Sequence, residues 1–535
     1  MMDFSEKDPS VIRKLGFFES LSDEELMNNN MAITTSAIIS VDKTIKVDIV
    51  SLRKASLIWI KTHSLLQATT HRFCDKKTQK SRIDLPKYFI KIKKNFEDFN
   101  NLEFIENSDN SLNWTSLTES ELKTPLDFIN GPLWRMKVLK INENTEVEKN
   151  KYAFILTISH SISDGRNSFS ILCQFLNILE KVVLEQKLSQ DEQNEIPSMN
   201  SSDFIIKQLK SNGKLKIGQI DLFGKIANRE LKNCGDKTNG VNGRLEHFIL
   251  NETKLSKLLQ KMKANSTTSK LTSLLIVIFC IAFKRTCLNL KINDIPLDDF
   301  TIAVPVCIRN KLNLKYLNMG CYVGLIESSV EFGKKIKKNS HFVSFPKKCI
   351  LSLFGFVYLI AVHLILPALC FCLRRAPKLE ARLLKSANKT GANKRMVNEP
   401  NIDDQEDFWL LVEENSNKLH SIISNNCELE IPKKEIVQIL LKNNFNFSSF
   451  NPINFTVSNL GKMENTQAGN RIEIIESYVS LPLIEKRFTG SLYISMTTIG
   501  GSLCCGISFN GKIFSDDFIK QLKLLVLHLI DDIIQ

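Results

Sequence analysis

In FILTISHSISDGRNSFSILCQFL, residues 154–176, His160 stands directly after an apolar run, and Asp164 and Gly165 follow four and five residues later. An imidazole with an ordinary pKa of about 6.5 can take a proton at neutral pH. An aspartate nearby can hold such a ring or its loop, and a glycine leaves room beside it. The residue types alone prove little. A histidine at a strand end is more often structural, and chance places these three residues at these offsets in roughly a few per cent of chains this long. The weight therefore falls on the elements around them.

Those elements are consistent with a built site. Trp134–Ile141 and Tyr152–Ser159 read as strands, and Asn167–Val183 reads as a helix starting after the Asp-Gly turn. Upstream, apolar positions from Ile49 through Leu52, Ala55 and Trp59 to Leu66 recur at three- and four-residue steps, as in an amphipathic helix that runs on into KTHSLLQATTHRF. Residues 186–243 are polar and read as an interlobe connection with a modest amphipathic piece at Phe204–Leu209. Leu271–Phe283 reads as a buried core helix. FTIAVPVCIRN and NPINFTVSNLG read as strands, SLYISMTTIGGSLCCGISF as a pair joined at Gly-Gly, and the last helix opens at Ser515. Helices and strands alternate, which predicts a mixed α/β architecture.

Length and composition set the frame. The chain has 535 residues, 43% hydrophobic and 24% charged, enough for two lobes with substantial cores. Its formal net charge of +13 comes from scattered lysines, with clusters only at Lys334, Lys335, Lys337, Lys338 and at Lys347, Lys348. Without a basic stripe interleaved with aromatics, nucleic-acid binding is not expected, whereas an anionic small ligand or membrane surface is. The 13 cysteines fall mostly in apolar runs and lack zinc-site spacing, so no metal is expected. A charged start without an apolar core predicts no signal peptide, and the compartment expected is a reducing one.

One segment does not suit a soluble enzyme. Cys349–Leu373 is about 25 apolar residues long, flanked by Lys347 and Lys348 on one side and Arg374 and Arg375 on the other. Pro367 can break it, and attachment to a membrane is the expectation, with the hydrophobic insertion bounded at 345–376. A channel or transporter would need several such segments.

SHSISDG resembles the HHxxxDG motif of the acyl-CoA-dependent acyltransferase superfamily, which includes chloramphenicol acetyltransferases, nonribosomal peptide condensation domains, plant acyltransferases, alcohol acetyltransferases and mycobacterial polyketide-associated acyltransferases. Ser159 stands at the first histidine of the motif, leaving His160 at the second, catalytic one. Companion stretches follow in family order: THSLLQA is similar to a helix-ending HPxLRA, PLDFINGPLWRMKVL to PxDxxxGPLxRxxL, VPVCIRN with NMGCYVG to a V..R and xxGN pair, and FTVSNLG to an xxSNxG strand. The segments near 186–243 and 332–430 have no evident counterpart. The order is most similar to the alcohol acetyltransferase and condensation branch.

The resemblance implies two chloramphenicol acetyltransferase-like lobes, 1–185 and 244–535, around a central substrate tunnel. It implies an O-acyltransferase with His160 as general base, no bound cofactor, acyl-CoA as co-substrate, and an alcohol or amine acceptor. Next to the apolar insertion, an apolar or lipid acceptor is expected. Asp164 would pair with Arg309 from the other lobe and support the loop, Gly165 would leave space for substrate, and Ser458 and Asn459 would bond the donor or the oxyanion. A monomer on the cytoplasmic side of an intracellular membrane, such as the endoplasmic reticulum, is the expected setting. The competing expectation is a membrane-associated binding or scaffold protein of the same fold without turnover.

Overall fold

The computed structural model describes residues 10–16, 19–20, 32–72, 87–92, 101–107, 112–141, 149–214, 243–292, 299–332, 405–429, 455–463, 471–482 and 492–535. The apolar segment Cys349–Leu373 and the lysine clusters beside it lie outside the described residues. The strands are β1 (Val11–Lys14), β2 (Ala32–Asp42), β3 (Ala68–Arg72), β4 (Lys87–Lys91), β5 (Leu102–Glu106), β6 (Trp134–Ile141), β7 (Lys149–Ser159), β8 (Arg244–Leu250), β9 (Asp299–Cys307), β10 (Val323–Glu331), β11 (Phe455–Lys462), β12 (Ile472–Ser480), β13 (Leu492–Ile499) and β14 (Ser502–Phe509). The helices are α1 (Ile49–Thr62), α2 (Trp114–Lys123), α3 (Gly165–Val183), α4 (Gln190–Gln193), α5 (Ser202–Ser211), α6 (Glu252–Asn265), α7 (Leu271–Asn289), α8 (Gln405–Ser424) and α9 (Asp516–Ile534). Residues 1–331 with 409–535 form one compact unit, and 332–408 form a second, almost all of it outside the described residues.

Two large sheets position the site. The first has the order β12-β2-β7-β6-β5 and the second β10-β9-β11-β13-β14-β8, while β1-β4-β3 make a small third sheet. Strand β7 is flanked by β2 and β6 and is buried from Tyr152 to Ser159, so its near-continuous apolar run has both faces covered. Helix α3 lays Phe169, Leu172, Phe175, Leu176 and Leu179 into the same core, the three- and four-residue spacing of one helical face. Trp59 of α1 anchors this core, edge-on to Trp134 at 5.1 Å and to Phe175 at 5.4 Å.

In the second sheet β11 runs parallel to both β9 and β13. Helix α7 packs with β11 and α9, and Phe283 meets Phe300, Phe455 and Phe518 at centroid distances of 5.7, 6.0 and 5.2 Å. Among the described residues α7 is the one helix long and apolar enough to cross a membrane, but most of it is buried within the protein. It continues beyond Phe283 to Asn289.

Three local readings need correction. The helix starting at Ile49 ends at Thr62, because His63 adopts an extended backbone (φ −132°); a 3-10 turn, Ser64–Gln67, and β3 follow. Helix α3 begins at Gly165 rather than Asn167, since the Asp164 side chain caps it by accepting the Asn167 N–H at 3.0 Å. The stretch near 186–243 carries α4 and α5 within its described part. Strand β12, although it lies late in the chain, joins the first sheet by pairing with β2.

Candidate functional site

His160 follows the last residue of β7, at the rim of the first sheet, and is partly exposed as a residue. It opens onto a cavity of about 220 Å³. Gly165 and Arg166 from the start of α3, Pro305 and Cys307 from β9, Ser458 to Gly461 from β11, and Val479 and Leu481 at the end of β12 also line it. The cavity therefore lies where the β7–α3 turn faces β11. Burial pushes the His160 pKa below its ordinary 6.5, opposed in part by main-chain hydrogen bonds at His160 and Ser163 and by the Asp164 charge. In its neutral form the ring keeps one nitrogen lone pair able to take a proton.

Asp164 is buried, 1% exposed, and its carboxylate meets three elements. Oδ1 caps α3, Oδ2 accepts the Tyr322 N–H at 3.1 Å, and Oδ2 also bonds Nη1 of the fully buried Arg309. The other arm of Arg309 donates to the carbonyls of Asn318 at 3.2 Å and Gly320 at 3.0 Å. Gly320 sits at φ +136°, where a Cβ would come within 2.7 Å of the Tyr322 ring, and its N–H reaches back to the Ile162 carbonyl at 2.8 Å. The loop bearing His160 is therefore tied to the chain before β10 by one charge pair and several main-chain bonds. Asp164 spends its oxygens on this framework.

A Cβ at Gly165 would come to 3.1 Å from Leu460 Cδ2 and 3.6 Å from Val479 Cγ1, both lining residues, so what the glycine admits is the close approach of β11 and β12. Ser458 and Asn459 both reach the cavity. The Asn459 amide is already engaged: Oδ1 accepts the Gly461 N–H at 2.9 Å, and Nδ2 donates to Thr272 Oγ1 at 2.9 Å. Ser458 is hydrogen-bonded to the phenol of Tyr493, whose pKa burial pushes up to about 12. That phenol stays neutral and able to donate at any working pH.

Three lining or neighbouring groups escaped the reading of the sequence. Tyr493, on β13, carries no motif. Cys321 places its Sγ 3.5 Å from His160 Nδ1. Arg166 did leave a signal, a cation in the first turn of a helix, where a positive charge is disfavoured. Among the described residues no group of His, Cys, Asp and Glu is arranged to hold a metal ion.

The fold is that of the condensation-domain and chloramphenicol acetyltransferase-like class. The chain is similar to a trichothecene 15-O-acetyltransferase from Fusarium sporotrichioides (10% identity, 100% of this chain and 99% of that one, TM-score 0.56). It is also similar to polyketide synthase associated protein 5 from Mycobacterium tuberculosis (11%, 98% and 99%, 0.54) and to the first condensation domain of the CDA synthetase (11%, 98% and 97%, 0.55). No family model and no curated relative matches the sequence. At such identities the likeness establishes the fold.

Proposed function

We propose that the protein is an O-acyltransferase that moves an acyl group from acyl-CoA to an alcohol, with His160 as general base. The observation that carries the reading is the His160 ring, held toward its neutral form by burial, standing in the wall of a cavity between the β7–α3 turn and β11. The neutral His160 ring takes the acceptor hydroxyl proton as the oxygen attacks the thioester carbonyl. The tetrahedral intermediate collapses, expelling the CoA thiolate, which recovers the proton from the imidazolium; ester and free CoA leave. Ser458 and the neutral phenol of Tyr493 are the donors we assign to the developing oxyanion. No acyl-enzyme is needed.

A cavity of about 220 Å³ holds the reacting ends of two substrates and not their full length, which favours a tunnel reaching His160 from two sides. Apolar lining from Ile33, Leu460, Val479 and Leu481 favours an apolar or lipid acceptor. Attachment of residues 349–373 to the cytoplasmic face of an intracellular membrane would bring such an acceptor near.

The test is a screen of purified protein with acyl-CoAs against alcohols, amines and diacylglycerol, reading free CoA. His160→Ala should lower transfer by roughly 10² to 10⁴-fold while melting temperature and acyl-CoA binding hold. Near-normal transfer by the folded variant would overturn the mechanism.

A further inference from the structure

The wall of the cavity carries an unbalanced positive charge. Of its ionisable lining groups, Asp164 is paired with Arg309, desolvation raises the pKa of Cys307 and of Tyr493 and lowers that of His160, and Tyr316 is a phenol whose ring lies against the Arg166 guanidinium. Arg166 remains. Among the described residues it has no acidic partner: Nη1 donates to the Leu460 carbonyl, Nη2 to the Lys462 carbonyl at 3.3 Å, and the guanidinium lies 4.3 Å from the centroid of the Tyr316 ring. Its Nε–H is buried without an acceptor.

This arrangement has a local cost at the helix end. Arg166 occupies the first turn of α3, where the helix end disfavours a cation, and the one acid there, the N-cap Asp164, is paired with Arg309. The cation is nevertheless fixed in place, by two neutral carbonyls and a ring, and these partners leave more than half of the guanidinium's donors unused. A fixed guanidinium without an acidic partner, in the same cavity wall as the proposed base, is arranged to receive an anion.

We infer that the substrate carries a carboxylate, bound by Arg166, on the acyl group or on the acceptor. The phosphates of CoA do not supply this anion, because the whole pantetheine arm separates them from a thioester placed at His160. A compact planar group is also what a cavity of about 220 Å³ can hold beside the reacting atoms. The inference rests on the acyltransferase reading for its turnover arm alone.

The experiment uses matched pairs on the full chain. Donors are butyryl-CoA and succinyl-CoA, and acceptors are butanol and γ-hydroxybutyrate, so each pair differs in one carboxylate. The charged member of one pair should have a kcat/KM about tenfold or more above its neutral twin, and the pair concerned identifies which substrate bears the acid. Arg166→Gln should abolish that preference, and Arg166→Lys should restore part of it. Calorimetric binding of the same pairs to His160→Ala protein provides a readout without turnover. If no pair reacts but the charged twin binds more tightly in an Arg166-dependent way, the catalytic reading fails and the carboxylate site stands. Equal or better performance of the neutral twins in every pair, or an equal loss for both twins in Arg166→Gln, would show that Arg166 only clamps α3 to β11.

Discussion

The sulfur of Cys321 lies 3.5 Å from Nδ1 of His160. Burial drives the Cys321 thiol well above its ordinary pKa, so the ring faces a neutral sulfur, a weak hydrogen-bonding partner. A neutral neighbour does little to stabilise the imidazolium, in line with a His160 pKa below 6.5. Activity that needs the neutral ring should therefore persist below pH 6.5 and fall only as the pH drops through the depressed pKa. Cys321→Ser, which offers a stronger acceptor in nearly the same space, should move the acid limb of kcat/KM upward. An unmoved limb in a folded Cys321→Ser protein would mean that the sulfur does not tune the ring.

Asp164 and Arg309 should behave as one unit. Removing one member of a buried pair strands the other charge, at about 3–5 kcal/mol, and Arg309→Ala also frees the carbonyls of Asn318 and Gly320. Asp164→Asn keeps an acceptor for one of the N–H groups of Asn167 and Tyr322, so it should cost less than Arg309→Ala. The double variant should cost clearly less than the sum of the two in denaturant unfolding. Additive losses would mean that the pair does not hold the loop.

Much of this site was legible because it is local. The strand, histidine, turn and helix that present His160 are contiguous, and the boundaries of β6 and the Ser515 cap of α9 follow from apolar runs and capping chemistry. What escaped depends on distant packing. Nothing in IEIIESYVS says that β12 leaves its neighbours in sequence to pair with β2, yet Val479 and Leu481 enter the cavity because it does. Tyr493 matters through its Ser458 bond, which depends on β11 and β13 lying parallel, with Ser458 opposite Ser495. The apolar periodicity that carried the first helix on to Leu66 was overruled at His63, whose extended backbone turns the chain into β3.

His63 also makes the fold sensitive to acid. Its ring is 1% exposed, with Nε2 2.6 Å from Gln174 Oε1, and Nδ1 is buried without a partner. Burial lowers its pKa to about 4, the Gln174 bond opposing only in part. In the unfolded chain the ring takes up a proton as pH falls through 6.5, while in the folded protein it stays neutral until about 4. Proton uptake therefore favours the unfolded state throughout that window, so the stability associated with His63 is present above pH 6.5 and is lost toward pH 4. The difference corresponds to about 3 kcal/mol. His63→Gln, which cannot titrate, should lose about that much less stability than the native protein between pH 7 and pH 4, measured by urea unfolding at each pH. Carboxylates common to both proteins cancel in the comparison. Parallel stability curves for the two proteins would show that His63 is not held neutral by the core.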